Sequence, residues 1–210
     1  AAAMPDASTR WDQEFDVVVA GSGGAGLTAA ILAHDNGARV AVVERSGKVG
    51  GTTAVSGGVI WIPLNDHMAE VEVADSREEA IAYCSRLAAG SVHDEMVETY
   101  VDTAHRMVRY LEKHTPAQFS VWRAPDYYAD QEGGKQCGRA LEPLLFCKRD
   151  LGDWEDKLRP SPMFMVPLTL EEMLTKFKVM TNTANLPFDL LVQRMNEGTV
   201  GCGNALAGRL

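Results

Sequence analysis

Two short apolar runs flank a helix-like segment near the start of the chain. Residues 15–20 (FDVVVA) and 39–43 (RVAVV) are rich in valine, which is typical of strands that are buried on both faces. Between them, residues 27–37 carry apolar side chains at helical spacing and end at a glycine. This order predicts a strand–helix–strand unit, the building block of an α/β fold with a parallel sheet.

The middle of the chain predicts two helices. Ser76 and Glu79 are spaced as in a capping box, which would start a helix that runs to about residue 89. A longer helix over 93–113 places its apolar side chains on one stripe, which we expect to pack in the core. That stripe consists of Met96, Val97, Tyr100, Val101, Ala104, Met107, Val108 and Leu111.

Weaker patterns predict the remaining elements. They favour strands at 59–63 and 118–123, a loop over 124–149, helices near 170–180 and 186–196, and the opening of a helix at 200–210. Three prolines prevent a continuous helix over 160–169. The apolar side chains there, Met163, Phe164 and Met165, belong either to the core or to an exposed lid that contacts a membrane or a sterol.

A glycine motif lies between the first predicted strand and the helix. Its residues are Gly21, Ser22, Gly23, Gly24, Ala25 and Gly26, which match the pattern Gly-x-Gly-x-x-Gly. The first glycine permits a tight turn, the second lets a pyrophosphate approach the backbone, and the third lets the helix pack close to the strand. Free amides at the helix start would face the phosphates. An ordinary glycine-rich turn is the alternative.

An acidic residue ends the second predicted strand. Glu44 follows Gly26 by 18 residues, which is the position of the carboxylate that accepts hydrogen bonds from an adenosine ribose. Because a carboxylate would repel a 2′-phosphate, 2′-phosphorylated nucleotides are disfavoured. The motif and the carboxylate predict a dinucleotide, but they do not decide between NAD and FAD.

A second glycine-rich segment favours FAD. Residues 45–58 (RSGKVGGTTAVSGG) are long for a plain connection, where an NAD domain would continue into another strand–helix unit. Such a loop can run along an extended flavin, although a flexible surface loop is the alternative. The candidate cofactor-binding residues in it are Arg45, Gly50, Gly51, Thr52, Thr53, Ser56, Gly57 and Gly58.

These segments resemble a known family. DVVVAGSGGAGLTAA, GGTTAVSGG and VIWIP are similar to the flavoprotein superfamily of fumarate reductase and succinate dehydrogenase. Within it, the resemblance is closest to the 3-ketosteroid dehydrogenases of the Δ1 type. PDYYADQEGGKQCGRALEP at 125–143 resembles a segment of those enzymes.

The resemblance implies a Rossmann-like FAD-binding fold and a role for one tyrosine. Tyr127 would line the steroid pocket and assist the catalytic base, with Tyr128 as the fallback. Because Thr52-Thr53-Ala54 occupies the region where some relatives bind flavin through a histidine, we expect noncovalent FAD. The reaction implied is dehydrogenation of a 3-ketosteroid between C1 and C2, and the electron acceptor stays open.

Other functions remain open at this point. They are a Δ4-type ketosteroid dehydrogenase, a cyclic-ketone dehydrogenase, and a fumarate- or urocanate-type reductase that uses Arg123 and Arg139 as carboxylate clamps. A non-catalytic FAD-binding fragment or subunit is an alternative of another class.

Family length shapes the predicted domain organisation. Relatives are more than twice as long, so we expect the tyrosine base to lie outside this sequence, on a second chain that carries the C-terminal portion. We predict a polar arm at 1–13, the first part of the FAD-binding domain at 14–120, and its continuation with substrate-pocket segments at 121–210. The start of an inserted α+β substrate domain would lie in the last of these.

Composition excludes several partners. With 20 basic and 29 acidic residues the formal net charge is −9, which argues against a nucleic-acid-binding protein. The four cysteines contain no Cys-x-x-Cys pair, so no metal site is predicted. No stretch approaches the ~20 apolar residues of a membrane-spanning helix. We therefore expect a cytoplasmic protein, with a peripheral membrane contact left open.

Overall fold

The computed structural model describes residues 11–210. Strand β1 (Val17–Ala20), helix α1 (Gly24–Asp35) and strand β2 (Val40–Val43) form the unit that the sequence predicts. The two strands pair in parallel, and α1 packs against both. This confirms the α/β fold with a parallel sheet. Residues 1–10 of the predicted polar arm lie outside the described residues.

The prediction that both strands are buried on two faces is wrong for this stretch of chain. Val18, Val42 and Val43 are exposed. A strand is buried on both faces only when other elements cover each of them. Within residues 11–210, α1 covers one face of β1 and β2 and leaves the other face open.

Two antiparallel sheets accompany the parallel pair. The first has the order β3 (Ile60–Trp61), β5 (Ala140–Pro143), β4 (Phe119–Val121). The second pairs β6 (Phe146–Cys147) with β7 (Thr199–Val200). The predicted loop over 124–149 was therefore wrong, because two of these strands lie in it. Both strands pair with strands that are distant in sequence, so no pattern of neighbouring residues predicts them.

The remaining helical elements differ in length and type. The α-helices are α2 (Gly51–Val55), α3 (Arg77–Ala88), α4 (Asp94–His114), α5 (Phe188–Asn196) and α6 (Cys202–Arg209). Three 3₁₀ segments cover Asp66–Val71, Lys148–Lys157 and Thr183–Asn185, and a π-helical turn covers Glu172–Lys176. The predicted helix near 170–180 is thus mostly this turn, and the glycine-rich segment contains an unpredicted helix, α2.

The Ser76 cap and most of the predicted stripe are confirmed, but the reciprocal bond of a capping box is not formed, because the Ser76 amide donates to the Asp75 carboxylate at 3.0 Å. The Ser76 hydroxyl accepts a hydrogen bond from the Glu79 amide and starts α3. On α4, the buried face packs with residues of β4, β5 and α6 in the largest apolar core. Met96 and Tyr100 depart from the prediction, since Met96 is 63% exposed. They line an open apolar depression together with Tyr83 and Tyr127.

His67 makes the stability of this region depend on pH. Its Nδ1 lies 2.7 Å from a Glu70 carboxylate oxygen, and its Nε2 lies 2.9 Å from one of Glu112. Burial lowers the pKa of His67, but the two carboxylates outweigh it and raise that pKa above 6.5. The protonated imidazole is therefore favoured by folding, and its contribution is present below pH 6.5 and lost as the pH rises through the higher folded pKa.

We expect His67→Gln to remove this pH dependence. The free energy of unfolding should fall more in the variant at about pH 6 than at about pH 9, because only protonated histidine gains from the two carboxylates. Chemical denaturation at both pH values measures the difference. An equal loss at both values would contradict the assignment.

Candidate functional site

The glycine turn after β1 has the geometry that its sequence predicts. Gly21 has a φ of +96°, and the chain at Gly23 is extended before α1 begins at Gly24. A Cβ on Gly26 would lie 2.2 Å from the Gly21 carbonyl oxygen, so a side chain there would force the helix away from the turn. The first turn of α1 carries no acidic residue, which leaves its amide end suited to an anion.

The second glycine-rich segment folds back onto this turn. The Gly24 amide donates a 2.8 Å hydrogen bond to the Thr53 hydroxyl. A Cβ on Gly51 would come within 3.3 Å of the Gly23 Cα, so the two backbones are in close contact. The predicted phosphate-facing groups of both motifs therefore lie side by side.

Ser22 connects three predicted site segments. Its hydroxyl donates to the Glu44 carboxylate at 2.6 Å and accepts from the Gly50 amide at 3.0 Å. Its own amide also donates to Glu44, at 3.1 Å. Because Ser22 is buried, these bonds fix the glycine turn, the end of β2 and the start of the second segment relative to each other.

Glu44 is ionised in this arrangement. The Ser22 hydroxyl, followed by the amides of Ser46 and Ser22, lowers the pKa of Glu44 to about 2. The carboxylate lines a cavity of about 520 Å³, and Ser46, Trp154 and Lys157 line it as well. A charged acceptor beside such a cavity suits a ribose diol. The Arg45 side chain is exposed next to it.

Helix α2 and the last helix support the second segment. Gly50 has a φ of +103° at the start of α2, and Thr52 on the helix is exposed. A Cβ on Gly203 of α6 would lie 2.0 Å from the Thr53 carbonyl oxygen, so α6 approaches α2 as closely as its backbone allows. Asn204 donates to the Ala54 carbonyl at 2.6 Å. No local pattern in the sequence predicts this support.

The end of the second segment forms one wall of another cavity. Ser56, Gly57 and Gly58 line a space of about 400 Å³ together with Trp61 and Tyr127. Phe164 and Leu170 close a third side. The structure thus brings together the predicted flavin-ring residues, the predicted catalytic tyrosine and part of the predicted apolar loop.

Tyr127 and Tyr128 have different surroundings. Tyr127 is 97% exposed and contributes to the cavity beside Gly57, whereas Tyr128 lies in the neighbouring apolar depression only. The Tyr128 amide lies 3.3 Å from the Tyr83 hydroxyl, which accepts its hydrogen bond. Of the adjacent pair, Tyr127 is the one placed at the predicted site.

In the apolar loop at 163–165, part of the side chains lie in the core and part are exposed, so each of the two predicted alternatives holds for some of them. Met163 and Met165 are each 78% exposed, as an exposed lid requires. Phe164 instead packs against a buried cluster that includes Leu168 and Met173. One side chain of the loop therefore anchors it, and the two methionines project from it.

Glu142 fixes the backbone at Leu170, which lines the cavity beside Tyr127. This role was not predicted from the sequence. Glu142 is buried on β5, and its carboxylate accepts hydrogen bonds from the amides of Leu170 at 2.7 Å and Glu171 at 3.2 Å. Burial raises the pKa of Glu142, and the bonds from this turn oppose that rise only in part. The carboxyl group acts as a cap for the turn rather than as a ligand of the cavity.

Arg139 does not serve as the substrate clamp that was left open. Its guanidinium is fully buried and pairs with Asp75 at 2.5 Å and Asp126 at 3.0 Å. Because both carboxylates already hold it, it is not available to a substrate carboxylate. Arg123, the other candidate, has an exposed side chain and is not among the residues that line the cavity beside Tyr127.

The described part of the chain offers neither a metal site nor a membrane-spanning helix. Between residues 11 and 210, no group of three histidine, cysteine or acidic side chains converges as metal ligands. None of the helices in that stretch combines the length and apolar character needed to cross a bilayer.

Known proteins share this arrangement over most of the chain. A 3-oxosteroid 1-dehydrogenase of Mycobacterium tuberculosis is 35% identical over 94% of this chain and 37% of its own length. A 4-oxocyclohexanecarboxylate 2-dehydrogenase of Sinomonas cyclohexanicum is 34% identical over 93% of this chain and 33% of its own length. The chain therefore spans about a third of the length of these relatives.

A solved structure is similar as well. The 3-ketosteroid Δ1-dehydrogenase of Sterolibacterium denitrificans, in complex with 1,4-androstadiene-3,17-dione, superposes with a TM-score of 0.79 at 35% identity. The match covers 93% of this chain and 37% of that one. The fold of the described residues is thus found in the solved structure of a 3-ketosteroid Δ1-dehydrogenase.

The cofactor follows from the site and the family together. The helix start, the ionised Glu44 and the adjoining second glycine segment fit an extended dinucleotide. The profile of the family described as FAD binding domain matches residues 16–203. The chain therefore belongs to the FAD-binding domain family, and the cofactor that its two glycine segments are built to hold is FAD.

Proposed function

We propose that this chain supplies the FAD-binding part of an enzyme that dehydrogenates a 3-ketosteroid between C1 and C2. The observation that carries the proposal is the cavity that Tyr127 lines together with Gly57 and Gly58. It lies in a chain that is 35% identical to a 3-oxosteroid 1-dehydrogenase. When bound, the flavin would supply the acceptor for the hydride that leaves the substrate.

The cavity wall suits a flat apolar substrate. Val59, Trp61, Trp122, Phe164 and Leu170 contribute carbon-rich surface, which excludes water from the reacting face. The carboxylate of Asp126 faces inward to Trp61 and Arg139 and so does not add a free charge. A ring system that carries a single keto oxygen fits this lining better than a dicarboxylate does.

Tyr127 would assist the removal of the proton that the 3-keto group acidifies. An unperturbed phenol has a pKa of about 10 and needs a partner to relay a proton at neutral pH. We propose that the base and the groups that hold the keto oxygen come from polypeptide outside the present sequence. FAD would be bound noncovalently, since no histidine lies in residues 50–58.

A cyclic-ketone dehydrogenase is the second candidate. It is favoured by the 34% identity to a 4-oxocyclohexanecarboxylate 2-dehydrogenase. Such a substrate has a carboxylate, which Arg139 could not receive because Asp75 and Asp126 hold it. Turnover of a panel of 3-oxosteroids and oxocyclohexanecarboxylates with an artificial electron acceptor separates the two candidates.

Other parts of the function stay proposals. A fumarate- or urocanate-type reductase is less well supported, because neither predicted arginine reaches the cavity. The exposed Met163 and Met165 support a peripheral membrane contact without requiring one. The cytoplasmic location and the domain boundary near residue 120 remain predictions from the sequence, and the electron acceptor stays open.

We expect Tyr127→Phe to lower steroid turnover without loss of FAD. The ring contact survives in the variant, but the hydroxyl that would help the base is gone. Turnover of the assembled, FAD-loaded enzyme should fall at least ~10-fold, the lower range for the loss of a hydrogen bond that becomes stronger in the transition state.

Tyr128→Phe is the matched control for that measurement. Its ring does not line the cavity beside Gly57, so turnover should change little. Equal turnover in wild type and Tyr127→Phe, or a larger loss in Tyr128→Phe, would reject the role of Tyr127.

A further inference from the structure

Arg139 is the centre of a buried polar cluster next to the proposed active site. Its Nε and Nη2 donate to the two carboxylate oxygens of Asp75 at 2.9 and 2.5 Å. Its Nη1 donates to Asp126 at 3.0 Å and to the Gly133 carbonyl at 2.8 Å. Burial lowers the pKa of Arg139, but the two carboxylates outweigh it and raise that pKa, so the guanidinium stays charged.

Two aromatic rings complete the enclosure of this guanidinium. Its central carbon lies 5.2 Å from the centre of the Trp61 ring and 5.6 Å from that of Tyr83. The Trp61 indole also donates to Asp126 at 2.6 Å. Because Trp61 lines the cavity beside Gly57 and Gly58, the cluster joins that wall to the segment that carries Tyr127.

Asp126 is the link between the cluster and Tyr127. Its carboxylate accepts the bonds from Trp61 and Arg139 and a third from the Lys135 amide at 2.9 Å. Its own amide donates to the Lys135 carbonyl, also at 2.9 Å. Residue 127 follows directly, and its side chain is almost fully exposed, so its place is set by the backbone at Asp126.

The other end of this segment is fixed as well. Gly133 has a φ of +75°, and a Cβ there would lie 2.1 Å from the Glu79 carbonyl oxygen, so the segment packs directly on α3. The Lys135 ammonium donates to the Glu79 carboxylate at 2.8 Å. Arg139 thus binds both ends of the 126–133 segment through Asp126 and Gly133.

We infer that Arg139 is a positioning residue for Tyr127: through Asp126 it sets the distance between the tyrosine and the Gly57–Gly58 wall. This inference rests on the proposed function of Tyr127. A lysine at this position keeps the charge but cannot bind Asp75 through two nitrogens and reach Asp126 and Gly133 together. A small displacement of a catalytic group is enough to reduce turnover strongly.

A double-mutant cycle in the assembled, FAD-loaded enzyme tests the inference. Arg139→Lys should lower 3-oxosteroid turnover at least ~10-fold with FAD content unchanged, and less than ~2-fold in the Tyr127→Phe background. Equal factors in both backgrounds would overturn it, because Arg139 would then act independently of Tyr127. Arg77→Lys is the control, since Arg77 pairs with Asp102 on the surface and should leave turnover unchanged.

Two further measurements keep the test decisive. If Arg139→Lys does not fold, Asp126→Asn enters the same cycle, because it weakens the bond to Arg139 while it preserves the shape of the side chain. Crystal structures of wild type and variant give a readout without turnover: the segment at 126–133 should move relative to Gly57. If the segment does not move in the variant, the inference is overturned. If the segment moves but the wild-type enzyme turns over no 3-oxosteroid, the proposed function alone is overturned.

Discussion

Replacing Gly23 with valine should abolish FAD binding while the protein stays folded. Gly23 has an extended backbone with a φ of −77°, and the nearest atom to a Cβ there is the Thr53 hydroxyl oxygen at 3.6 Å. The protein itself therefore has room for a side chain. The branched side chain would instead fill the space in front of the first amides of α1, where the pyrophosphate must lie.

Titration of the apoprotein with FAD measures this effect. The dissociation constant should rise at least ~100-fold, which corresponds to about 2.7 kcal/mol. Ala69→Val is the control, since Ala69 is exposed on the 3₁₀ segment Asp66–Val71 and lines neither the cavity beside Glu44 nor the one beside Tyr127. A Gly23→Val protein that keeps stoichiometric flavin would show that the pyrophosphate does not lie at this helix start.

Replacing Gly203 with alanine should destabilise the protein and weaken FAD binding together. The added Cβ would lie 2.0 Å from the Thr53 carbonyl oxygen and 2.6 Å from that of Ser56. Both are backbone atoms, so no side-chain rotation can relieve the contact, and α6 must move away from α2. Overpacking of this kind costs about 3 kcal/mol of the free energy of unfolding, and the shifted carbonyls belong to the FAD-binding segment.

A second glycine of the same helix provides the comparison. A Cβ at Gly208 would meet the Phe146 ring at 2.7 Å, and a ring can turn where a backbone carbonyl cannot. Chemical denaturation should therefore show a smaller loss for Gly208→Ala than for Gly203→Ala. Equal losses in the free energy of unfolding would mean that the backbone contact between α6 and α2 can yield as easily as the Phe146 ring.

The parts of the site that are local in sequence could be predicted from it. The glycine turn, Glu44 and the segment at 50–58 each depend on residues that are neighbours along the chain, and the structure brings them together. Ser22 was predicted only as a member of the turn. Its bonds to Glu44 and Gly50 span more than twenty residues, and no local pattern encodes them.

The parts that depend on distant contacts could not be predicted in this way. Strand β5 places Glu142 under a turn near residue 170, and Arg139 pairs with Asp75 from a different element. Met96 was expected in the core because its spacing on α4 is right, but it lines the open depression at the start of that helix and is 63% exposed, whereas the adjacent Val97 is buried. Helical spacing identifies a face and not how far along the helix that face is covered.

Anaerobic addition of a 3-oxosteroid to the assembled, FAD-loaded enzyme tests the central claim most directly. If the enzyme dehydrogenates 3-oxosteroids, the visible absorbance of oxidised flavin disappears. The recovered steroid has then lost two hydrogens and gained a C1–C2 double bond. The same sample without steroid should keep its colour. Flavin that stays oxidised in the presence of 3-oxosteroids, with the steroid recovered unchanged, would contradict the account.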